Sequence, residues 1–301
     1  MFKPHGMIAA IPTPMNADGS INYKGFEPIV EHLIENGMHG LLVDGSCGEY
    51  SLKTMDERKE TIKVVCEIVN GRIPVIAGTS CHRTEDTIKL TNYAAEIGAS
   101  NTLIINPYYM HTSRQGIIDY YKTIAENSSV GILIYNYPGA TGIELDPELI
   151  YEISQIEGVV GIKNTTDGQH TSKLIALTKD NPNFSVLTGF EHLILPTLAL
   201  GGQGAIGVVH NLAPKKIVEL YDLVVKENNI KAATELNTKL LDLYNAIEEE
   251  VIPGTIKAGL EVLGLPGGPS RAPLVPASDT YRKKIKKILK ELGELYVNNV
   301  G

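Results

Sequence analysis

Short apolar runs alternate along the chain with longer segments whose apolar residues recur at helical spacing. Each run ends in glycine, proline or small polar residues. Short apolar runs bounded by turn residues are typical of strands buried on both faces, as in parallel sheets. The predicted strands are 7–11, 40–43, 73–77, 102–105, 131–135, 159–163, 185–188 and 204–208.

The segments between these runs carry helix signals. Thr54 and Glu57 have the spacing of a capping box at the start of a helix. Thr84 is predicted to cap a helix that continues to about Ile97. Further helices are predicted at about 23–36, 113–127 and 146–154. Unbroken strand-then-helix units, eight in number, predict an α/β fold of the TIM (β/α)8 barrel type rather than an open sheet.

After Pro214 the pattern changes to helices alone, at about 215–227, 230–250, 253–263 and 279–292. No linker rich in glycine, serine or proline separates them from the barrel. We therefore predict a barrel over residues 1–228 and a C-terminal helical extension over 229–301 that packs on it.

Charge and composition narrow the function classes. The 27 lysines and arginines stand against 35 acidic residues, which gives a formal charge of −8, and no basic run is present. Nucleic-acid and anionic-membrane partners are therefore disfavoured, and no apolar run reaches the roughly 18 residues of a membrane-spanning helix. The three cysteines lack metal-type spacing, and residues 1–6 do not resemble a signal peptide. A cytoplasmic location is the expectation.

Lys163 is the unusual feature of the sixth predicted strand, because it follows an apolar run at the strand's carboxyl end. Most lysines in that position would begin a solvated loop. In a barrel, however, the residues after the strands converge on one face, where active sites lie. Gly161 shares a strand face with Lys163, and we expect it to leave open space beneath the lysine.

The other residues at the strand ends are rich in hydroxyl groups and poor in carboxylates. A lysine among hydroxyls is suited to forming a Schiff base with a carbonyl compound. The attacking amine must be neutral, a state favoured by burial away from counter-charges, and nearby hydroxyls can carry the protons. The strand-end set is Thr13, Ser46, Cys47, Thr79, Tyr108, Tyr109, Tyr135, Asn136, Lys163 and Thr165.

The loop Gly45-Ser46-Cys47-Gly48-Glu49 allows backbone N–H groups to face a common anion, and a substrate carboxylate suits it better than a phosphate. A tight structural turn is the commoner explanation for such a loop. Tyrosines beside barrel strands, such as Tyr109 and Tyr135, are likewise more often packing residues than proton relays.

Four motifs in order resemble the dihydrodipicolinate synthase / N-acetylneuraminate lyase family, the pyruvate-dependent class I aldolases. The resemblance covers residues 6–290. The motifs are Gly45-Ser46-Cys47-Gly48-Glu49, Asn106-Pro107-Tyr108-Tyr109, Tyr135-Asn136-Tyr137-Pro138 with Thr141-Gly142, and Gly161-Ile162-Lys163.

The resemblance implies a TIM-barrel lyase that assembles as a homotetramer and uses pyruvate and an aldehyde, without cofactor or metal. Lys163 matches the Schiff-base lysine, Tyr135 the proton-shuttling tyrosine and Ser46 the relay hydroxyl. Tyr109 matches the tyrosine that reaches into a neighbouring subunit's site. The predicted substrate-binding residues are Cys47, Thr165, Gly189, Glu191 and Gly207.

Two departures from the family bear on the substrate. Ala140 stands where dihydrodipicolinate synthases carry an arginine that holds a second carboxylate, which argues against a role in lysine biosynthesis. Cys47 replaces a threonine, so carboxylate binding there would depend on backbone N–H groups.

The finer motif match predicts reversible cleavage of a 2-keto-3-deoxy sugar acid, such as 2-keto-3-deoxygluconate, to pyruvate and an aldehyde. Thr165, two residues after the lysine, matches a contact to sugar hydroxyls. N-acetylneuraminate lyase, for which Glu191 would be the acidic sugar-binding residue, dihydrodipicolinate synthase and a sugar-acid dehydratase are alternatives.

Two further classes of protein remain open at this stage. A metal-dependent barrel enzyme could use the histidines of the carboxyl-end loops, although their spacing is not that of a metal motif. A non-catalytic binding module is disfavoured by the intact lysine, tyrosine and serine set. The histidines are His82, His111, His192 and His210.

Overall fold

Eight parallel strands close into a barrel in chain order, with β8 paired to β1. The computed structural model describes residues 1–295, so residues 296–301 of the predicted extension lie outside the described residues. The predicted TIM barrel is confirmed. The strands are β1 (Gly6–Ala10), β2 (Gly40–Val43), β3 (Val75–Gly78), β4 (Asn101–Ile105), β5 (Gly131–Asn136), β6 (Val159–Asn164), β7 (Ser185–Thr188) and β8 (Gly204–Gly207).

Helices surround the barrel and continue beyond it. They are α1 (Phe26–Glu35), α2 (Met55–Val69), α3 (Thr84–Glu96), α4 (Arg114–Glu126), α5 (Pro138–Thr141), α6 (Pro147–Ile153), α7 (Gly168–Thr178), α8 (Ile194–Ala199), α9 (Pro214–Val225), α10 (Ile230–Ile247), α11 (Gly254–Val262) and α12 (Asp279–Glu291).

The helix starts follow the predicted caps at α2 but not at α3. The Thr54 hydroxyl accepts from the Glu57 N–H, and the Glu57 carboxylate accepts from the Thr54 N–H, so the capping box is confirmed. Thr84 does not cap α3: it is the first helical residue, and Arg83 precedes it without a side-chain cap. The one-turn helix α5, which begins at Pro138, was not predicted.

Strand register decides which side chains meet inside the barrel. Ile105 pairs with Tyr135, Tyr135 with Lys163, and Lys163 with Leu187, so these four side chains share the inner face. The intervening residues point outward and pack beneath α4, α6 and α7. Lys163 is therefore a barrel-interior residue and not the first residue of a solvated loop.

The C-terminal helices pack on the barrel's outer layer. Helix α10 packs on α8 and α9, and α12 packs on α10 and α11. The helices bury one face each, with Leu240 and Tyr244 of α10 and Ile285 of α12 fully covered. In residues 1–295 no helix has both the length and the apolar character needed to cross a membrane.

Candidate active site

Lys163 and Tyr135 form the centre of the site. Lys163 is 6% exposed, and its Nζ lies 4.6 Å from the centroid of the Tyr135 ring. The Tyr135 ring stacks in turn on the ring of Tyr137, with centroids 5.8 Å apart. Because the two residues are paired on neighbouring strands, the amine and the tyrosine are held together by the rigid barrel wall.

Gly189, after β7, provides the room that the lysine occupies. A Cβ atom at Gly189 would lie 2.8 Å from Cε of Lys163 and 2.0 Å from Oγ1 of Thr165. Only glycine fits at position 189. Three of the predicted site residues, Lys163, Thr165 and Gly189, therefore meet at one point. The buried Thr165 Oγ1 has no hydrogen-bond partner among the described residues, which leaves it available to a substrate.

Gly161 does not leave open space beneath the lysine, and that expectation is wrong. A Cβ atom at Gly161 would lie 2.7 Å from the carbonyl oxygen of Ser185 on β7. The glycine therefore allows close approach of two strands rather than a cavity. The register between β5 and β6 also shifts between Ile132 and Leu133, so simple alternation does not extend back to Val159.

The Gly45–Glu49 loop is held at both ends by unusual backbone and by buried charges. Asp44 and Glu49 have φ angles of 58° and 59°, in the left-handed region that is uncommon for residues other than glycine. The Asp44 carboxylate is bound by Lys53 at 3.0 Å and by Arg58 at 2.6 Å. Such strain persists only where the surroundings impose it, which is typical of binding sites.

Between those ends the loop exposes backbone donors. The N–H groups of Ser46 and Cys47 have no acceptor in the part of the chain that the structure describes. The carbonyl of Gly48 is instead turned away to accept from the Thr13 hydroxyl at 2.7 Å. Adjacent N–H groups without an acceptor are an arrangement suited to an anion such as a carboxylate.

Cys47 is buried, and its thiol is kept neutral. Burial raises the pKa of Cys47 to about 12, against the opposing effect of the Lys257 and Lys163 charges. A neutral thiol is a weak hydrogen-bond donor. The N–H groups of the loop, and not the thiol, are thus the strong donors here.

Ser46 lines a pocket of about 310 Å³, and Ile105, which shares the inner face of the barrel with Tyr135 and Lys163, lines it too. The hydroxyl-bearing Tyr50, Tyr108 and Thr141 line the same pocket, as does Ala140. Burial and the neighbouring Tyr108 hydroxyl raise the pKa of Tyr50 well above its ordinary value. The Tyr50 hydroxyl is therefore a neutral group at physiological pH.

Glu191 and Gly207 meet behind the ends of β7 and β8. Glu191 is buried, and its Oε1 accepts from the N–H groups of Val208 at 2.7 Å and Val209 at 3.2 Å. Burial raises its pKa, while those N–H groups and Lys163 oppose the shift. A Cβ atom at Gly207 would lie 2.9 Å from this oxygen and 2.4 Å from Nδ1 of His210. Gly207 thus makes space for the Glu191 and His210 side chains.

Tyr109, a predicted catalytic residue, lies in solvent and not inside the barrel. It is 82% exposed, and the adjacent Met110 is 76% exposed. Two large side chains held in solvent next to the site are the geometry expected of residues that contact another subunit.

Three residues near the site were missed by sequence reasoning. Tyr50 directly follows the Gly45–Glu49 loop, and its position should have suggested it. Lys257 lies between Ile256 and Ala258 in α11, and a lysine within such an apolar run is a signal for a buried ion pair. His210 was considered only as a metal ligand. Within residues 1–295, no three His, Cys, Asp or Glu side chains are grouped in a way that could hold a metal.

The closed barrel and the match to a family of known chemistry, given next, define the class of this protein. It is a barrel enzyme of the lyase class, a pyruvate-dependent class I aldolase. The sequence profile of the dihydrodipicolinate synthetase family matches residues 3–292. The chain belongs to this family.

Similar proteins span its whole length. The chain is 36% identical over 296 residues to a 4-hydroxy-tetrahydrodipicolinate synthase of Methanothrix thermoacetophila, with 98% of each chain covered. The crystal structure of dihydrodipicolinate synthase from Thermotoga maritima superposes with a TM-score of 0.93 at 35% identity, covering 98% of this chain and 100% of that one. YagE of Escherichia coli K12, described as a family member in complex with pyruvate, gives a TM-score of 0.91 at 29% identity, with 96% and 98% covered.

Proposed function

We propose that Lys163 forms a Schiff base with pyruvate, and that the enamine derived from it adds reversibly to an aldehyde. The observation that carries this proposal is the buried Lys163 amine, which lies 4.6 Å from the Tyr135 ring centroid and beside the Thr165 side chain. Backbone N–H groups of Ser46 and Cys47 are the proposed carboxylate site.

The proposed steps need no oxidant or reductant, only the two substrates, water and proton transfers. The Lys163 amine attacks the ketone carbon, the carbinolamine loses water to give an iminium, and the methyl group then loses a proton to give the enamine. The enamine carbon bonds to the aldehyde carbon, whose oxygen takes up a proton, and water releases the product and the free lysine. Tyr135 and Ser46 are the proposed proton carriers, with Tyr109 of a neighbouring subunit.

Among the finer alternatives, the comparisons favour a synthase over cleavage of a 2-keto-3-deoxy sugar acid. The curated relative from Methanothrix thermoacetophila has a synthase name and matches over the full chain. The YagE structure, which is described as a complex with pyruvate, supports pyruvate as the first substrate. We therefore propose carbon–carbon bond formation as the working direction.

Cleavage of a sugar acid remains a second candidate because of Thr165. Its buried Oγ1 has no partner among the described residues and lies beside Lys163 across the space left by Gly189. A substrate hydroxyl on the carbon next to the new bond would satisfy it. A synthase substrate without that hydroxyl would not.

A homotetramer is the proposed assembly. The exposed Tyr109 and Met110 flank a concave surface with Pro107 and Tyr108. In the proposed assembly another subunit covers this surface. Tyr109 would then approach that subunit's Lys163, and the side chains of Tyr109 and Met110 would both be buried.

Borohydride trapping tests the proposal directly. Reduction in the presence of pyruvate should add one reduced pyruvyl group, located on Lys163 by peptide mass spectrometry. The Lys163→Gln variant should acquire none. An adduct on another lysine, or no adduct with the wild-type chain, would overturn the proposed function.

A further inference from the structure

We propose that the aldehyde which meets the pyruvate enamine is uncharged and carries an apolar portion, bound against Ile252, Pro273 and Leu274 of the C-terminal extension. The inference rests on the proposed function, since it concerns the second substrate of the same site. It derives from the lining of the pocket that contains Ser46 and Ile105, the latter on the same inner barrel face as Tyr135 and Lys163.

The pocket beside Ser46 is lined by two kinds of side chain. The hydroxyl-bearing residues are Ser46, Tyr50, Ser51, Tyr108 and Thr141. The apolar residues are Leu52, Ile105 and Ala140 from the barrel and, from the extension, Ile252, Pro273 and Leu274, which together are called the apolar wall. Ile252 is 37% exposed, so part of this aliphatic side chain is in contact with solvent.

No lysine or arginine lines this pocket within residues 1–295. The single charged residue in its lining is Glu49, which is 2% exposed and bonded to Lys257 at 2.5 Å. An anionic substrate group placed here would meet no counter-charge and would lose its hydration. Ala140, on the one-turn helix α5, adds only a methyl group.

Three cations outside the lining, Lys53, Arg58 and Arg271, are each engaged with a carboxylate. Lys53 and Arg58 both bind Asp44, at 3.0 and 2.6 Å. Arg271 binds Glu57 at 2.8 Å. Withdrawing any of them to serve a substrate would leave a carboxylate without its partner, which is costly for the buried Asp44 in particular.

Matched aldehydes separate charge from size. Pyruvate consumption would be followed with methyl 4-oxobutanoate, which is neutral, with succinic semialdehyde, its anionic counterpart, and with glyceraldehyde, which is neutral and polar. We expect kcat/KM for the ester to exceed that for the semialdehyde and for glyceraldehyde by roughly tenfold or more. Equal or higher kcat/KM for either of the other two aldehydes overturns the inference.

Two variants test the residues themselves. Ala140→Arg should raise kcat/KM for succinic semialdehyde by roughly tenfold, because it adds a counter-charge at the pocket edge. The same variant should not raise kcat/KM for methyl 4-oxobutanoate. Leu274→Ser should lower kcat/KM for the ester by roughly fivefold and that for glyceraldehyde little. Leu200→Ser, at an exposed leucine of the barrel's outer layer, is the control and should change neither.

Failure of this inference is distinguishable from failure of the proposed function. Trapping of pyruvate on Lys163 together with a preference for the semialdehyde would leave the function standing and overturn the acceptor. An equal loss with all aldehydes in Leu274→Ser would likewise overturn the role of the apolar wall. Absence of trapping in the wild-type chain would overturn both proposals.

Discussion

Glu49 and Lys257 form a buried ion pair with 2.5 Å between Oε1 and Nζ, although 208 positions separate them in the chain. Glu49 ends the loop proposed to bind the pyruvate carboxylate, and Lys257 lies in α11 of the C-terminal region. The second Glu49 oxygen accepts from the Arg271 N–H at 2.7 Å. The pair supports our proposal that residues 229–301 form an extension of the barrel over 1–228 rather than a separate domain.

Removing one partner of this pair should be strongly destabilising. Lys257→Met would leave the Glu49 charge buried, and we expect the free energy of unfolding in urea to fall by about 3–5 kcal/mol. The double variant Lys257→Met with Glu49→Gln should recover part of that loss. Lys284→Met, which breaks a solvent-exposed pair with Glu249, is the control and should cost less than about 1 kcal/mol. Equal losses in the single and double variants would contradict the argument.

Tyr135→Phe should separate proton transfer from Schiff-base geometry. The ring stays in place beside Lys163 while its hydroxyl is lost, so turnover should fall about a hundredfold or more. Borohydride trapping should fall much less. Tyr137→Phe, whose ring stacks on Tyr135, is the matched control and should keep turnover within about threefold. Parallel loss of turnover and trapping in Tyr135→Phe would mean that its role is structural.

A shared active site predicts complementation between two inactive variants. Lys163→Ala lacks the amine and Tyr109→Ala lacks the residue donated to the neighbour. If two subunits exchange Tyr109, half of randomly mixed pairs contain one complete site, so activity should return to roughly a quarter of the wild-type value. The variants would be mixed, unfolded, refolded together and assayed. Activity no higher than that of the separate variants would exclude exchange of Tyr109.

His210 should make the protein less stable as the pH falls. It is fully buried, neither ring nitrogen has a partner among the described residues, and burial together with Lys163 lowers its pKa from 6.5 to about 3. Below pH 6.5 the unfolded chain therefore binds a proton that the folded chain does not. The free energy of unfolding should fall by up to about 1.4 kcal/mol per pH unit from this group until about pH 3.

The measurement is the slope of unfolding free energy against pH between about 6 and 4.5. Glu191 acts in the opposite direction because its raised pKa favours proton uptake by the folded chain as the pH falls. Since Glu191 is present in both proteins, the difference between the wild type and His210→Gln reports His210. Identical slopes would rule out the buried neutral histidine.

Much of the fold was predictable because the signals are local. Apolar runs such as Leu41–Val43 and Leu103–Ile105 are short, and the amphipathic segments between them have helical spacing. Their number and alternation lead to the barrel without knowledge of any contact. The capping box at Thr54 was equally local, whereas Thr84 was misassigned because a threonine near a helix start can be either the cap or the first helical residue.

The residue types of the candidate site were also predictable, since residues after barrel strands converge. Lys163, Tyr135 and Thr165 lie in the region where this rule expects them. Their catalytic and binding roles remain predictions. Tyr109 could be named from its motif, but a single chain does not bring it to the lysine.

The sequence by itself therefore determined the barrel, the family and the strand end on which Lys163 lies. Only the tertiary structure decided that Gly189 and not Gly161 makes room for that lysine, that Lys257 holds the Glu49 end of the loop, and that Ile252, Pro273 and Leu274 of the extension line a pocket with Ser46. A local sequence pattern indicates which side chains are buried, but it does not indicate which distant residues they contact. These contacts join residues far apart in the chain, and they depend on the register of the barrel strands and on helix packing.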